Sequence, residues 1–452
     1  MRISDLNGQK IAIWGLGNEG LSTLKVLSKT LSEPNITILN DTSISQESLI
    51  FLRESKFFLP IITGKNIVQS LKSFNVIIKS PGISPYRSEI KNAKQFGVKF
   101  ISPTQLWYNE FHNQKIICIT GTKGKSTTTQ LTAHILKSLN YNVAVGGNIG
   151  FPLMDLLQIK HLPNFWIVEL SSYQLYDFAG DPSINVLLNL FPEHLDWHIN
   201  ESNYYHDKLS LFSKLDKGIS IINGTDPVIT SLNFNWKNPN FFNIKNGIYS
   251  KNNIIFNGNT ELLNINNIKL KGTHNLSNIC AALTIMKTLG ISVNDCIEAI
   301  SKFSPLPHRL NFLGVKNGLS FINDSISTTP ESAIAAIESF NNDRITILIG
   351  GFDRGLNYDN LIKFLLNGNV YAAITIPETG HRIAKKLKQY NNKKLLEIYE
   401  ANDLHEAIII AKEVTPIGGI VLLSPAAPSF GEFKNFKERG ITFAKYAGFS
   451  TF

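Results

Sequence analysis

Two apolar runs in this chain end in glycine turns that lead into helix-forming stretches. That repeated arrangement restricts the fold more than any other feature. IAIWG (11–15) runs into Gly15-Leu16-Gly17-Asn18-Glu19-Gly20, and IICIT (116–120) runs into Gly121-Thr122-Lys123-Gly124-Lys125-Ser126-Thr127. A strand, a glycine turn and a helix in that order bring backbone N–H groups to a helix N-terminus, where they can hold phosphate. Short apolar runs recur at FWIVEL (165–170), VLLNL (186–190), ITILIGG (345–351) and GIVLLS (419–424), each followed by a polar or glycine-rich turn. Buried strands separated by helical-period stretches predict α/β units with mainly parallel sheets.

A length of 452 residues suggests about three such domains. One boundary is expected near ISPTQLWYNEFHNQK (101–115), before the strand IICIT. The other is expected near FSPLPHRL (303–310), where two prolines interrupt helical continuity. These give segments 1–112, 113–306 and 307–452. Asn-rich stretches such as NIKNGIYSKNNIIFNGN (243–259) read as turns between short strands.

Composition excludes several classes. With 43% hydrophobic and 17% charged residues the chain can build cores and is not a disordered tail. No run reaches the ~18 apolar residues of a membrane helix, and the N-terminus has no signal-peptide pattern. Three cysteines (Cys118, Cys280, Cys296) make neither a disulfide framework nor a CxxC zinc pair, so a cytoplasmic protein is expected. The net charge of +9 is spread along the chain, apart from KKLKQYNNKK (385–394), which reads as a solvated helix end. No nucleic-acid motif accompanies it, and nucleotide substrates account for the balance more simply.

The first glycine turn has the G-x-G-x-x-G spacing, and a second strand, NITILN (35–40), leads to Asp41. The glycines allow close approach to a diphosphate, and Asp41 is suited to a sugar hydroxyl. An NAD-dependent dehydrogenase is one reading, a different diphosphate ligand a second, and a structural turn a third. The short first segment and the second phosphate loop argue against a complete NAD site. Ser80-Pro81-Gly82-Ile83 ends another apolar run and adds a loop at the same strand-end crevice. In the second turn, Lys125 is suited to terminal phosphates and Ser126 to Mg²⁺. The spacing G-x-x-G-K-S-T is shorter than the full P-loop, since position 119 is Ile.

GTKGKST (121–127) resembles the ATP loop of the Mur ligase family, the cytoplasmic peptidoglycan-precursor ligases. The likeness continues in family order through GGNIG (146–150), ELSSYQL (169–175), NLFPEHLDWH (189–198), GTHNLSN (272–278), LPHR (306–309), FINDS (321–325) and LLSPAAPSFGEFKNFKERG (422–440). Within the family, the GLG-x-x-G start, the SPGI loop and the SPA-x-x-SF ending resemble the members that add glutamate to UDP-N-acetylmuramoyl-L-alanine. The resemblance implies an N-terminal Rossmann-like UDP-binding domain, a central P-loop ATPase-like domain and a C-terminal Rossmann-like glutamate-binding domain. It also implies a monomer that uses ATP and two Mg²⁺ ions.

Carried over by motif, Gly121, Thr122, Lys123, Gly124, Lys125, Ser126 and Thr127 form the ATP loop. Asn275 and Asn278 fall on the adenine side, Arg309 at the γ-phosphate and Asp324 at the ribose. Ser126, Glu169, His194 and Lys208 become magnesium ligands, with Lys208 in NYYHDKLSL matching the family lysine that is carbamylated to N6-carboxylysine. Lys125, His194, Lys208 and Arg309 are the expected catalytic set. Asn18, Asp41, Thr42, Ser80 and Gly82 take the UDP end, and Asn148, Ser171 and Gln174 take the muramoyl-alanine arm. His198 has no comparable support.

Two departures from the family pattern fall where glutamate is expected. The family's N-D-S-K reads Asn323-Asp324-Ser325-Ile326, and the lysine expected after the Gly-Gly turn is Arg354. Lys123 stands where the family often has Asn. Thr328, Ser429, Phe430 and Phe436 still match glutamate contacts. D-glutamate is the primary expectation and L-glutamate, used by a sister subfamily, the alternative.

Overall fold

The computed structural model describes residues 1–32, 34–42, 44, 52, 59–149, 151–265, 268, 270, 273–304, 307–340, 344–353, 356–391 and 396–450. The chain forms two compact units. The first comprises Met1–Ile268 with Asn275–Phe303, and the second Lys269–His274 with Ser304–Phe452.

The first unit opens with a five-stranded sheet of β1 (Lys10–Trp14), β2 (Asn35–Asn40), β3 (Ile61–Thr63), β4 (Val76–Lys79) and β5 (Lys99–Ile101). Its order is β3-β2-β1-β4-β5, with parallel pairing throughout. The order reverses between β1 and β4, which opens a crevice at their C-terminal ends. The first glycine turn and the Ser80 loop both emerge there, and helix α1 (Asn18–Thr30) starts from it.

The stretch expected as a boundary folds as helix α2 (Pro103–Phe111), capped by Ser102, whose hydroxyl accepts from the Gln105 N–H. Proline at the first helical position costs no hydrogen bond. Trp107 of this helix packs edge-on against Trp166, ring centroids 5.2 Å apart, and Tyr108 meets Phe178 at 5.1 Å. One continuous core runs from Leu24 and Leu27 of α1 through Trp107 to Met154, Trp166 and Leu211.

The second sheet contains β6 (Ile116–Thr120), β7 (Val143–Gly147), β8 (Phe165–Glu169), β9 (Ile184–Leu187), β10 (Ile219–Asn223) and β11 (Pro239–Phe242). It runs β11-β10-β9-β6-β8-β7, again parallel. Helices α3 (Lys125–Ser138), α4 (Ser172–Tyr176), α5 (Leu195–His198) and α6 (Glu201–Ser213) follow its strands. The Asn-rich stretch builds a small antiparallel sheet of β12 (Ile248–Lys251), β13 (Ile254–Asn257) and β14 (Thr260–Asn264). Asn243, Asn252 and Asn253 take positive φ at its turns, which Asn tolerates better than most residues. Helix α7 (Thr273–Thr288) follows.

The second unit is a six-stranded sheet, β15-β16-β20-β17-β18-β19. Its strands are β15 (Asn311–Lys316), β16 (Leu319–Asn323), β17 (Ile345–Gly350), β18 (Ala372–Ile376), β19 (Glu397–Glu400) and β20 (Ile420–Leu423). Only β15 pairs antiparallel. Helices α8 (Pro330–Glu338) and α9 (Phe436–Ala447) carry residues discussed below. Among the described residues, no helix is long and apolar enough to cross a membrane.

Candidate active site

The buried apolar strand β6 ends at Thr120, and the chain turns on two glycines at positive φ, Gly121 (+153°) and Gly124 (+84°). A Cβ on Gly124 would sit 2.4 Å from Asn278 Oδ1, so the turn needs glycine for contact as well as for torsion. Neighbouring loops fix the turn. The Thr122 N–H donates to the Asn189 carbonyl (3.1 Å), and the Lys123 N–H to Asn189 Oδ1 (2.8 Å). Lys125 Nζ folds back onto the carbonyls of Gly121 (3.0 Å) and Thr122 (2.9 Å). Ser126 and Thr127 lie in the first turn of α3, while Asn278 joins the loop to Asn275 through Nδ2 to Oδ1 at 2.9 Å.

Lys208 comes from α6, far along the sequence, yet its Nζ donates to the same Gly121 carbonyl at 3.0 Å. The residue is 1% exposed. Burial holds its amine well below the ordinary lysine range, and the positive charge of Lys125 adds to this. On the neighbouring strand, Glu169 ends β8 with no exposure. Its Oε1 accepts from Asn148 Nδ2 at 2.6 Å, while its buried Oε2 has no hydrogen-bond partner among the described residues. His194 caps α5 at positive φ, its Nε2 3.7 Å from Glu193 Oε2 and its ring 5.1 Å from that of Tyr173. Lys123 pairs with Glu193 at 2.6 Å, which gives the unusual loop lysine a carboxylate of its own.

At the first glycine turn, a Cβ on Gly20 would fall 2.0 Å from the Gly15 carbonyl oxygen, and Ser80 Oγ donates to that oxygen at 2.7 Å. Asn18 begins α1. Asp41 is held by Arg87 (2.6 Å) and by the Trp14 indole N–H (3.2 Å), and the Arg87 guanidinium lies over the Trp14 ring. The Gly82 carbonyl accepts from Trp197 Nε1 at 3.2 Å, and the Thr42 carbonyl from Asn40 Nδ2 at 3.1 Å. Ser171 caps α4, and Gln174 Oε1 accepts from the Ser171 N–H at 2.9 Å. Gln174 Nε2 donates to Glu19 Oε1 at 2.9 Å, joining the first glycine turn to α4.

The second unit holds the remaining candidates. Arg309 Nε is buried without a hydrogen-bond partner among the described residues. Asp324 is fully enclosed. Its Oδ1 accepts from the Leu310 N–H at 3.1 Å and its Oδ2 from Ser424 Oγ at 2.8 Å and from the Ser327 hydroxyl. Burial raises its carboxyl to about 6 against the lowering effect of those bonds. Thr328 is half-buried just before α8, and Ser429 is buried. The Phe430 ring lies 6.2 Å from that of Phe352, and the Phe436 carbonyl accepts from Ser325 Oγ at 2.8 Å. Arg354 lies outside the described residues.

Residues 119–286 match the model of the Mur ligase middle domain, and residues 9–102 that of the Mur ligase MurD-like N-terminal domain. A UDP-N-acetylmuramoyl-L-alanine–L-glutamate ligase of Xanthomonas axonopodis pv. citri is 38% identical over 99% of this chain and 97% of its own. The chain belongs to the Mur ligase family. A ligase of the same description from Salinispora tropica is 33% identical over 98% of each chain. Among solved structures, the fold of this Mur ligase resembles two enzymes from Thermotoga maritima. One is the UDP-N-acetylmuramate-alanine ligase MurC (TM-score 0.58, 18% identity, 97% of this chain and 98% of that one). The other is the MurF ligase in complex with ADP (TM-score 0.57, 14% identity, 98% and 95%). Family membership sets the dehydrogenase reading aside.

Arg87, Glu193 and the His198–Asp207 pair were not among the candidates the sequence offered. Arg87 occupies Asp41, although 46 positions separate them. Glu193 neutralises Lys123, and only its position beside His194 hinted at this. His198 and Asp207 form a fully buried pair at 2.7 Å, and no spacing rule flags that pair.

Proposed function

We infer that this chain is an ATP-dependent ligase that joins glutamate to UDP-N-acetylmuramoyl-L-alanine. What carries the reading is its end-to-end likeness to glutamate-adding relatives, in a chain whose phosphate loop is flanked by a buried lysine and a buried carboxylate. The alanine carboxylate of the acceptor attacks the terminal phosphorus of ATP, giving an acyl phosphate and ADP. The glutamate amine then attacks the acyl carbon, and phosphate leaves as the amide forms.

Each residue has a task in this scheme. Lys125 releases its two loop carbonyls and offsets charge on the transferring phosphoryl group. Arg309, with an unspent buried N–H, is suited to the terminal phosphate. The unpartnered Oε2 of Glu169 supports a magnesium ligand there, joined by Ser126, His194 and Lys208. When bound, Mg²⁺ supplies positive charge that polarises the phosphoryl oxygens. As an amine, Lys208 would oppose that charge. Its burial favours the neutral form, which adds CO₂ to give a carbamate and release one proton, so the side chain becomes an oxygen ligand.

For the amino acid we assign the L-enantiomer, the alternative of the sequence reading, in place of D-glutamate. The relatives carry L-glutamate in their names, and Ile326 lacks the charge that the D-glutamate pattern has at that position. Three functional segments, 1–112, 113–306 and 307–452, a monomeric state and a cytoplasmic location complete the proposal. The test is ADP release by the purified full-length chain with ATP, Mg²⁺, the UDP-muramoyl-alanine acceptor and either D- or L-glutamate. Release requiring both acceptor and L-glutamate supports the reading. Release indifferent to the acceptor overturns it, and a preference for D-glutamate overturns the stereochemical assignment.

A further inference from the structure

Helix α6 presents two faces to two different loops. Tyr204 and Lys208, one turn apart, face the phosphate loop, where the Tyr204 hydroxyl meets Thr122 Oγ1 at 2.8 Å and Lys208 reaches Gly121. Asp207 is rotated by about 100° from Lys208. Its fully buried carboxylate accepts from the Tyr86 hydroxyl at 2.9 and 3.0 Å, from His198 Nδ1–H at 2.7 Å and from His206 Nδ1 at 3.3 Å. His198 is fixed in turn, its Nε2 3.0 Å from Ser172 Oγ.

Tyr86 lies on the segment that follows β4 and includes Gly82, and this segment is bound to α5 at two further points. Ser84 Oγ donates to the Trp197 carbonyl at 2.8 Å, and Trp197 Nε1 to the Gly82 carbonyl at 3.2 Å. Tyr173 stacks on Trp197 with centroids 4.4 Å apart. The loop assigned to the UDP end is therefore joined to both helices that carry His194 and Lys208.

We propose that Asp207 is the positioning residue for Lys208, with Tyr86 and His198 as the donors that hold it. This inference rests on the ligase reading and on the place of Lys208 in it. Asp207 is fully buried and acts through its neighbour. By fixing the rotation of α6 it decides whether the next side chain points at Gly121 or away from it. Two donors from outside the helix do this because a helix anchored by apolar contacts alone can rotate by small amounts, which polar bonds of fixed direction prevent. The same bonds make the Gly82–Tyr86 segment and the Lys208 side chain parts of one rigid assembly.

The experiment uses the full-length chain with Tyr86→Phe and Asp207→Asn, each in the wild-type and the Lys208→Ala background. Both variants are nearly isosteric, and Tyr86→Phe removes one hydroxyl from a partly exposed ring. With Lys208 present, turnover should fall by about 10- to 100-fold, as expected for a misaimed group. The KM for ATP should hold, and the half-saturating Mg²⁺ concentration should rise. In the Lys208→Ala background the same changes should cost little more, because a residue acting through Lys208 has nothing left to position. Independently of turnover, the carbamate resonance from isotope-labelled bicarbonate should weaken in both variants. Equal costs in both backgrounds, or an unchanged Mg²⁺ titration with a full carbamate signal, would overturn the proposal. Failure of the ligase reading would show instead in the wild type, as ADP release without the acceptor requirement.

Discussion

Lys125 and Lys208 donate to one and the same oxygen, the Gly121 carbonyl, each at 3.0 Å. Two ammonium groups meeting at one buried acceptor repel each other, and the enclosed Lys208 yields first, its amine pushed down by burial and by Lys125. The arrangement suits a loop that receives several negative charges when nucleotide arrives.

Removing the first of these charges tests the loop directly. Lys125→Ala should lower turnover by about 10²- to 10³-fold, the usual loss for one oriented electrostatic partner. Steady-state ADP release measures it. A variant within twofold of wild type would take the loop out of the chemistry.

Lys208 separates charge from size. Lys208→Ala should lose activity while keeping its fold, and acetate or propionate should restore part of it by supplying an oxygen anion to the vacated space. Lys208→Arg keeps a cation and fills the space, so the same carboxylates should do nothing for it. An active Arg variant would mean an ordinary lysine with no carbamate.

At Gly124 the prediction is conformational. Gly124→Ala places a Cβ 2.4 Å from Asn278 Oδ1 and forces an L-residue to φ +84°. The torsion alone costs about 1–2 kcal/mol. Displacing Asn278 also breaks its 3.2 Å bond from Thr128 Oγ1. Nucleotide affinity by calorimetry should drop together with the melting temperature, and an unaltered affinity would show that the loop tolerates the methyl group.

Glu19 gives a pH signature. Burial raises its carboxyl from 4.5 to about 7, against lowering by its bond with Gln174 and by the Lys79 charge. Lys79, itself buried, is paired with Asp177 at 2.8 Å. Between those two pH values the folded state keeps a proton that the unfolded chain has lost. This contribution to stability is therefore complete below about pH 4.5 and is lost as pH rises through about 7. Glu19→Gln retains an oxygen for the Gln174 N–H and does not titrate. Relative to wild type it should gain up to about 3 kcal/mol across that window. Urea melts at both ends of the window measure the change, and a constant difference would place the carboxyl at an ordinary pKa.

The strands were the most legible part of the sequence. NITILN is a strand over the whole of residues 35–40, and IICIT over 116–120, because a buried parallel strand must be a short, nearly unbroken apolar run. The glycine turns were legible for a similar reason, since close backbone approach leaves no alternative to glycine. Lys208 was legible only through family likeness. In NYYHDKLSL it looks like any lysine on a polar helix, and its burial follows from Tyr204 and the phosphate loop closing around it. The segment at 101–115 reads as a boundary because it precedes the strand IICIT, and the partners of Trp107 within it are set by tertiary packing that no local pattern encodes.

The division into two units has an optical consequence. All five tryptophans, Trp14, Trp107, Trp166, Trp197 and Trp236, belong to the first unit, and the second has none. Indole emission therefore follows the first unit alone and is blind to the second, whose loss of structure registers instead in the far-ultraviolet signal of its backbone. A gap between those two curves during denaturation would measure how independently the second unit melts, with no label attached to the chain.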